Sequence, residues 1–147
     1  MSPRGWNISL LVAATLWAGA VPARAADDAL ATALRGVVEG NLDAYDREDV
    51  DATLATIHSR SPSYQPTSEA LASQLPGLDL DAELVEFRYI GHDDEFAVAR
   101  VKTRTTAESG QSDFVSNIVD SITIFHQENG SWKLWSEYIL GVEVVPQ

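Results

Sequence analysis

An Asn-Gly pair, Asn129-Gly130, lies between two long segments rich in β-branched and aromatic residues. Asparagine and glycine supply the positive φ angles that a two-residue hairpin turn requires. The segment before the pair alternates apolar and more polar residues up to Phe125, and the return segment begins at Trp132. The sequence therefore predicts a hairpin with arms of about 10 to 14 residues, which must bury one face against upstream helices.

Apolar residues at spacings of three and four predict helices upstream of the sheet. The predicted helices span residues 27–46, 50–57 and 68–74. Asp49 is a natural N-cap for the second helix, and a short extended piece is expected at Tyr64, before the third. In the first helix, Gly36 and Gly40 lie four residues apart, and this spacing predicts close packing against another element.

From Leu80 onward the hydrophobic period changes to two, which is typical of strands. Two strands are predicted before the hairpin, with a turn at residues 91–94. Helices followed by an antiparallel meander predict an α+β fold. We expect three N-terminal helices packed on a strongly curved, mainly antiparallel sheet of about four to six strands, forming a cone with a pocket.

The first 25 residues have the pattern of a secretory signal peptide. Arg4 precedes a largely apolar stretch, and an Ala-x-Ala motif ends at Ala25. The pattern predicts cleavage after Ala25, a single mature domain over residues 26–147, and a periplasmic or secreted location. A retained anchor is the alternative, but the apolar stretch is shorter than the roughly 20 residues of a spanning helix. We therefore expect no stable membrane insertion after cleavage.

Composition excludes several classes of function. The net charge is −12, and it becomes −14 once Arg4 and Arg24 leave with the leader. A chain this acidic repels phosphate backbones, so no nucleic-acid partner is expected. The sequence contains no cysteine, which excludes disulfides and a thiol nucleophile. Its histidines lie far apart without metal-ligand spacing, so neither a metal nor another cofactor is expected.

Two stretches of the chain resemble the nuclear transport factor 2-like superfamily. One is residues 42–54, where LDAYDRE is followed by an aspartate that opens the second helix, and the other is the closing hairpin with its GSWKLW turn. This superfamily includes polyketide-cyclase-like (SnoaL-like) and steroid-isomerase-like proteins. The resemblance implies the conical fold, a pocket and a homodimer that forms through the sheet. The fold alone implies no particular chemistry.

The resemblance does not extend to the catalytic positions of the steroid isomerases. Asn41 holds the position of their proton-donating tyrosine, and Gln65, before Pro66, holds that of their proton-shuttling aspartate. An amide side chain can do neither task at neutral pH. Only Asp120 lies near the position of their third residue. We therefore exclude isomerase chemistry of that type.

Aromatic and polar side chains define the predicted pocket. Such a wall suits a small apolar or amphipathic ligand. The predicted pocket residues are Tyr45, Tyr64, Tyr89, Asn117 and Trp135. Alternatively, the aromatic residues fill the core, and Trp135 and Tyr89 pack the cavity shut, so that only the convex sheet face acts as a partner surface.

Three residues are candidates for proton transfer: His58, Tyr64 and Asp120. The structural alternatives are that His58 caps the C-terminal end of the second helix and that Asp120 is an exposed strand residue. His92 and His126 lie at strand ends and are expected on the surface. The leading functional prediction is non-enzymatic: a ligand-binding domain or a dimeric interaction module. The alternative is an enzyme of the cyclase, dehydratase or hydrolase type.

Three basic residues, Arg100, Lys102 and Arg104, share one face of a predicted strand. The sequence predicts that they pair with carboxylates across strands or across a dimer. The candidate partners are Glu137, Glu143 and Asp113. The alternative is a site for an acidic ligand.

Overall fold

The structure is a computed structural model that describes residues 23–75, 77, 79–107 and 114–146. The helices are α1 (Ala23–Asp46), α2 (Val50–Ala55) and α3 (Tyr64–Gln74). The strands are β1 (Leu80–His92), β2 (Phe96–Ala107), β3 (Asn117–Glu128) and β4 (Ser131–Val144). The predicted α+β fold is confirmed. The predicted leader lies almost wholly in residues 1–22, outside the described residues.

The strands form one antiparallel sheet in the order β1-β2-β3-β4. Each strand pairs with its neighbour in sequence, as expected for a meander with short turns. The sheet is curved and does not close, and the helices pack on its concave face. One side of the sheet therefore faces the helices and the other forms a convex outer surface.

The predicted hairpin turn is present between β3 and β4. Asn129 has a φ of 52° and Gly130 a φ of 79°, the positive values that a tight two-residue turn requires. The arms are 12 and 14 residues long, within the predicted length. The turn sets the register of the hairpin, with Glu128 opposite Ser131.

The helix ends differ in part from the prediction. The Asp49 side chain accepts a hydrogen bond from the backbone N–H of Ala52 at 2.9 Å, as expected of an N-cap. Helix α3 begins at Tyr64, so the predicted extended piece at this residue is wrong. Pro66 lies in the first turn of α3, where the missing N–H of proline costs no helical hydrogen bond.

The core forms where α1 crosses the concave face of the sheet. Leu34 and Val38 of α1 pack against Ala97, Ala99 and Phe125. The alanines of β2 are small, so they let the helix approach the sheet closely. A second apolar cluster joins α3 to the start of β1 and contains Leu71, Leu75 and Leu80.

The predicted close packing at Gly36 and Gly40 is wrong. A Cβ atom built on either residue meets no other atom within 4 Å. These glycines therefore lie on the exposed side of α1.

Replacing Gly130 by alanine should lower the free energy of unfolding by about 1–2 kcal/mol, because an L-residue is strained at positive φ. Gly36→Ala is the matched control, since neither added methyl group meets an atom. The control should raise the stability by up to about 1 kcal/mol, because alanine favours the helix. Urea denaturation measures both changes, and a stabilised Gly130→Ala variant would contradict the turn geometry.

Candidate functional site

The candidate site is a cavity of about 420 Å³ between the helices and the concave face of the sheet. Its wall combines apolar side chains with hydroxyl, amide and carboxylate groups. The lining residues are Val38, Asn41, Leu42, Tyr45, Thr53, Ile57, Ser63, Thr67, Leu71, Val101, Thr103, Thr123, Leu134, Trp135, Ser136 and Glu137. All three helices, the α2–α3 connection and strands β2, β3 and β4 contribute to it.

A β-bulge in β4 explains why four consecutive residues, 134–137, line one cavity. Leu134 pairs with Phe125 and Ser136 pairs with Ile124, so Trp135 is an extra residue between them. In a regular strand, successive side chains would point to opposite faces of the sheet. The bulge breaks this alternation and turns the strand.

The loop after α2 is joined to β4 at Leu134. The backbone N–H of His58 donates to the Leu134 carbonyl at 2.8 Å, and the Leu134 N–H donates to the Thr56 carbonyl at 2.9 Å. The Ser61 hydroxyl donates to the Trp135 carbonyl. These bonds hold the helical side of the cavity against the sheet.

The orientation of the Asn41 amide follows from its hydrogen bonds. The Thr56 hydroxyl donates to the Thr53 carbonyl at 2.7 Å, so its oxygen is available as an acceptor. Asn41 Nδ2 donates to this oxygen at 2.7 Å and also contacts the Thr53 carbonyl at 3.4 Å. The amide nitrogen is thereby occupied, and Asn41 Oδ1 is left as an acceptor in the cavity wall.

Tyr45 contributes a neutral hydroxyl to the wall. Burial raises the pKa of its phenol above the ordinary value, and the negative charge of Asp46 raises the pKa further. The phenol therefore stays protonated at neutral pH and can donate a hydrogen bond to a ligand.

Two of the five predicted pocket residues, Tyr45 and Trp135, line the cavity. Tyr89 packs against the core beneath α1, and its hydroxyl contacts the His92 ring. The Asn117 side chain donates to the Val115 carbonyl at 2.8 Å, and Tyr64 is the first residue of α3. The alternative in which Trp135 and Tyr89 pack the cavity shut is wrong.

His58 is buried, with 1% of its surface exposed. Helix α2 ends at Ala55, so the predicted capping role is wrong. Instead, His58 Nδ1 accepts a hydrogen bond from the Arg60 N–H at 3.0 Å. The other ring nitrogen, Nε2, is buried without a hydrogen-bond partner among the described residues.

The His58 ring belongs to an aromatic cluster that the sequence did not predict. The ring centroids of His58 and His126 lie 4.7 Å apart, and Trp135 lies 4.9 Å from each of them. Phe96 packs on His126 at 4.5 Å. His126 is therefore partly buried in ring contacts and not fully solvated, whereas His92 is exposed as predicted.

Asp120 lies on the convex face and forms an ion pair with Arg100. The Arg100 Nε atom donates to Asp120 Oδ1 at 2.8 Å. Arg104 pairs with Glu83. The predicted pairing of the basic residues with carboxylates across strands therefore occurs, but with partners other than Glu137 and Glu143. Asp113 lies outside the described residues.

The three candidates for proton transfer are not joined to one another. No described hydrogen bond connects any two of His58, Tyr64 and Asp120, and none of them is among the described lining residues of the cavity. Their catalytic role stays a prediction.

The described residues contain no cluster of three or more metal-ligating side chains. No helix within the described ranges is long and apolar enough to cross a membrane.

The sequence did not indicate most of the polar residues of the wall as pocket residues, among them Asn41 and Glu137. The sequence identified Asn41 only as the residue at the position of the proton-donating tyrosine of the steroid isomerases. Its helical spacing of four from Tyr45, which places both residues on one face of α1, was the available signal. No sequence signal identified Glu137, because its position follows the bulge at Trp135.

Comparison with protein families matches residues 36–145 to the family model of the C-terminal domain of the anti-sigma-I factor RsgI9. The matched segment runs from within α1 to the end of the sheet. Sequence comparison with curated proteins finds no match.

Solved structures share the fold at low sequence identity. A proposed dehydratase of the NTF2-like family from Streptomyces avermitilis aligns with a TM-score of 0.62 at 13% identity, covering 82% of this chain and 99% of the other. An NTF2-like protein of unknown function from Pseudomonas putida aligns with a TM-score of 0.60 at 12% identity, covering 76% of this chain and 86% of the other. A Nostoc punctiforme protein with a cystatin-like fold aligns with a TM-score of 0.57 at 17% identity, covering 78% of this chain and 90% of the other. The predicted nuclear transport factor 2-like fold is confirmed.

Asp120→Asn should remove an acid-sensitive part of the stability. Hydrogen bonding to Arg100 lowers the pKa of Asp120 in the folded state. The ion pair therefore stabilises the fold fully above about pH 4, the ordinary pKa of an aspartate, and this stabilisation is lost as the pH falls through the folded pKa. The Tm difference between the wild type and Asp120→Asn should therefore shrink on acidification. Thermal unfolding between neutral and acidic pH measures it.

Asp94→Asn is the control for this experiment, because Asp94 is exposed in the β1–β2 turn and no described side chain pairs with it. A Tm difference for Asp120→Asn that is constant across the pH range would contradict the ion-pair interpretation.

Proposed function

The chain belongs to the family of the C-terminal domain of the anti-sigma-I factor RsgI9, and from that premise we propose that it is a non-enzymatic domain that binds a small amphipathic molecule. The observation that carries the proposal is the cavity of about 420 Å³ with apolar and polar groups in one wall. Small-molecule sites usually have volumes of about 300–1,000 Å³ and combine apolar walls with a few polar groups.

The ionisable groups of the wall favour binding over catalysis. Among the described lining residues these groups are Tyr45 and Glu137, and no described hydrogen bond joins them. General acid–base catalysis needs a positioned group that exchanges its proton near the operating pH, whereas burial keeps the Tyr45 phenol protonated. An enzyme of the cyclase, dehydratase or hydrolase type is the alternative that this argument disfavours.

Three further features bear on the biological context of the proposed binding function. The matched domain is, by name, part of an anti-sigma-I factor, which favours a domain whose ligand occupancy is communicated to a second protein. The leader pattern over residues 1–25 favours a periplasmic or secreted location. The net charge of −12 disfavours a nucleic-acid partner.

Filling the cavity should abolish ligand binding. The full chain would be produced in its native host, and native mass spectra would be compared before and after denaturation. The wild type should carry an additional mass that denaturation releases. Thr103→Trp places an indole in the cavity and should lose this mass, while the neighbouring Lys102→Trp substitutes the opposite face of β2 and should keep it.

Circular dichroism would establish that both variants are folded. A wild-type protein without any bound mass, or a folded Thr103→Trp variant that retains it, would contradict the proposed function.

We also propose that the domain forms a homodimer through its sheet. The hydrogen bonds at Leu134 cover the edge of β4 near its start, but no described residue pairs with this edge after Trp135. The open part carries five exposed apolar side chains, between 49% and 70% exposed. They are Tyr138, Ile139, Leu140, Val142 and Val144. A long, apolar, uncovered edge strand favours pairing with another strand.

Tyr138→Asp should weaken this dimer by about tenfold or more, since a buried interfacial tyrosine often contributes over 1 kcal/mol. Sedimentation velocity over a concentration series measures the dissociation constant. Ile90→Asp on β1, at the opposite edge of the sheet, is the control and should leave the dimer intact. A wild type that stays monomeric at every concentration would refute the proposal.

A further inference from the structure

The cavity wall has a marked chemical bias. Among its described lining residues, Glu137 is the one side chain with a formal charge at neutral pH, and there is no lysine, arginine or histidine. The Asn41 amide presents its Oδ1 atom as an acceptor, because Nδ2 is occupied by the Thr56 hydroxyl and the Thr53 carbonyl. Beside hydroxyl groups, which can donate or accept, the wall therefore offers an amide acceptor and a negative charge.

The basic residues of β2 face away from the cavity. Thr103 lines the cavity, and its neighbours Lys102 and Arg104 point to the opposite face, because side chains alternate along a strand. Arg100, on that convex face, is already paired with Asp120, and Arg104 with Glu83. The described lining residues therefore include no cation that could neutralise an anionic ligand, and an unpaired charge in such a site is costly.

Glu137 is placed to receive a cation. It pairs with the buried Thr123 across β3 and β4, and both residues line the cavity. Glu137 itself is exposed, so its side chain is accessible from solvent. No described side chain forms an ion pair with it.

The remaining wall suits an apolar body. Leu42 and Leu71 contribute from the helices, and Leu134 and Trp135 contribute from β4. A ligand that places a hydrocarbon or aromatic group here can reach Glu137 with a polar head. The net charge of −12 adds a field that attracts cations and repels anions.

We infer that the cavity selects a small amphipathic amine, with its ammonium group on Glu137 and its apolar body between Leu71 and Trp135. This inference rests on the proposed function and adds the chemical class of the ligand. It distinguishes the site from one for fatty acids, phosphates or other anionic amphiphiles.

Three matched probes test the inference: 2-phenylethylamine, 2-phenylethanol and 3-phenylpropionate. They share an aromatic ring and a two-carbon linker and differ in the charge of the head. Isothermal titration calorimetry of the full chain at low salt should show the amine binding about fivefold more tightly than the alcohol, as expected for one partly solvated ion pair of about 1 kcal/mol. The carboxylate should bind more weakly than the alcohol.

Substitution of Glu137 tests whether its carboxylate causes the preference for the amine. Glu137→Gln should remove the advantage of the amine and leave the affinity for the alcohol unchanged. Glu143→Gln removes an exposed carboxylate from the same strand outside the described wall, and it is the matched control that should keep the wild-type order of affinities.

The outcomes separate the inference from the proposed function. Alcohol binding without any preference for the amine, or with the carboxylate bound most tightly, would overturn the inference while the binding function stands. The same conclusion follows if Glu143→Gln abolishes the preference as fully as Glu137→Gln. Failure of all three probes to bind would overturn the inference, and the native mass spectra of the Thr103→Trp series would then decide the proposed function independently.

Discussion

The cavity depends on the backbone hydrogen bonds at Leu134, which join the helical part of the chain to the sheet. Helix α2 has only six residues, too few to be stable alone, so its position is set by what it is attached to. The bonds from Leu134 to Thr56 and His58 supply that attachment. They also place the His58 ring among the aromatic side chains of Trp135 and His126, where it is sealed from solvent. In this position the imidazole acts as part of the structural support of the wall.

The regular alternation of β2 and the local break in β4 together give the two faces of the sheet different chemistry. Along β2, Ala97, Ala99, Val101 and Thr103 face the helices, and the basic residues face outward, where two of them pair with carboxylates. In β4 the bulge at Trp135 interrupts the alternation and adds polar and aromatic groups to the inner wall. The concave face therefore lacks cations among the described lining residues, although the convex face has several.

Much of the fold could be predicted from the sequence because its signals are local. The Asn129-Gly130 pair fixes a tight turn by its φ angles, and the change from helical to alternating period separates the helices from the strands. Asp49 marks the start of α2 through a contact within one helical turn. The site was harder to predict from the sequence. Of the predicted pocket residues, Tyr45 and Trp135 line the cavity, but Tyr64, Tyr89 and Asn117 are not among its described lining residues. An aromatic residue in an amphipathic element can pack in the core or line a pocket, and the sequence pattern does not distinguish these two positions.

The order of the elements, the hairpin and the antiparallel pairing are encoded locally, since each follows from residues near one another in the chain. Which side chains share the cavity depends instead on how distant segments pack. The burial of His58 depends on a bond to Leu134, far along the chain, and the place of Glu137 depends on the bulge beside it. The freedom of Asn41 Oδ1 depends on the hydroxyl of Thr56 in the next helical segment. Contacts of this kind arise from packing between distant segments, and no local pattern in the sequence encodes them.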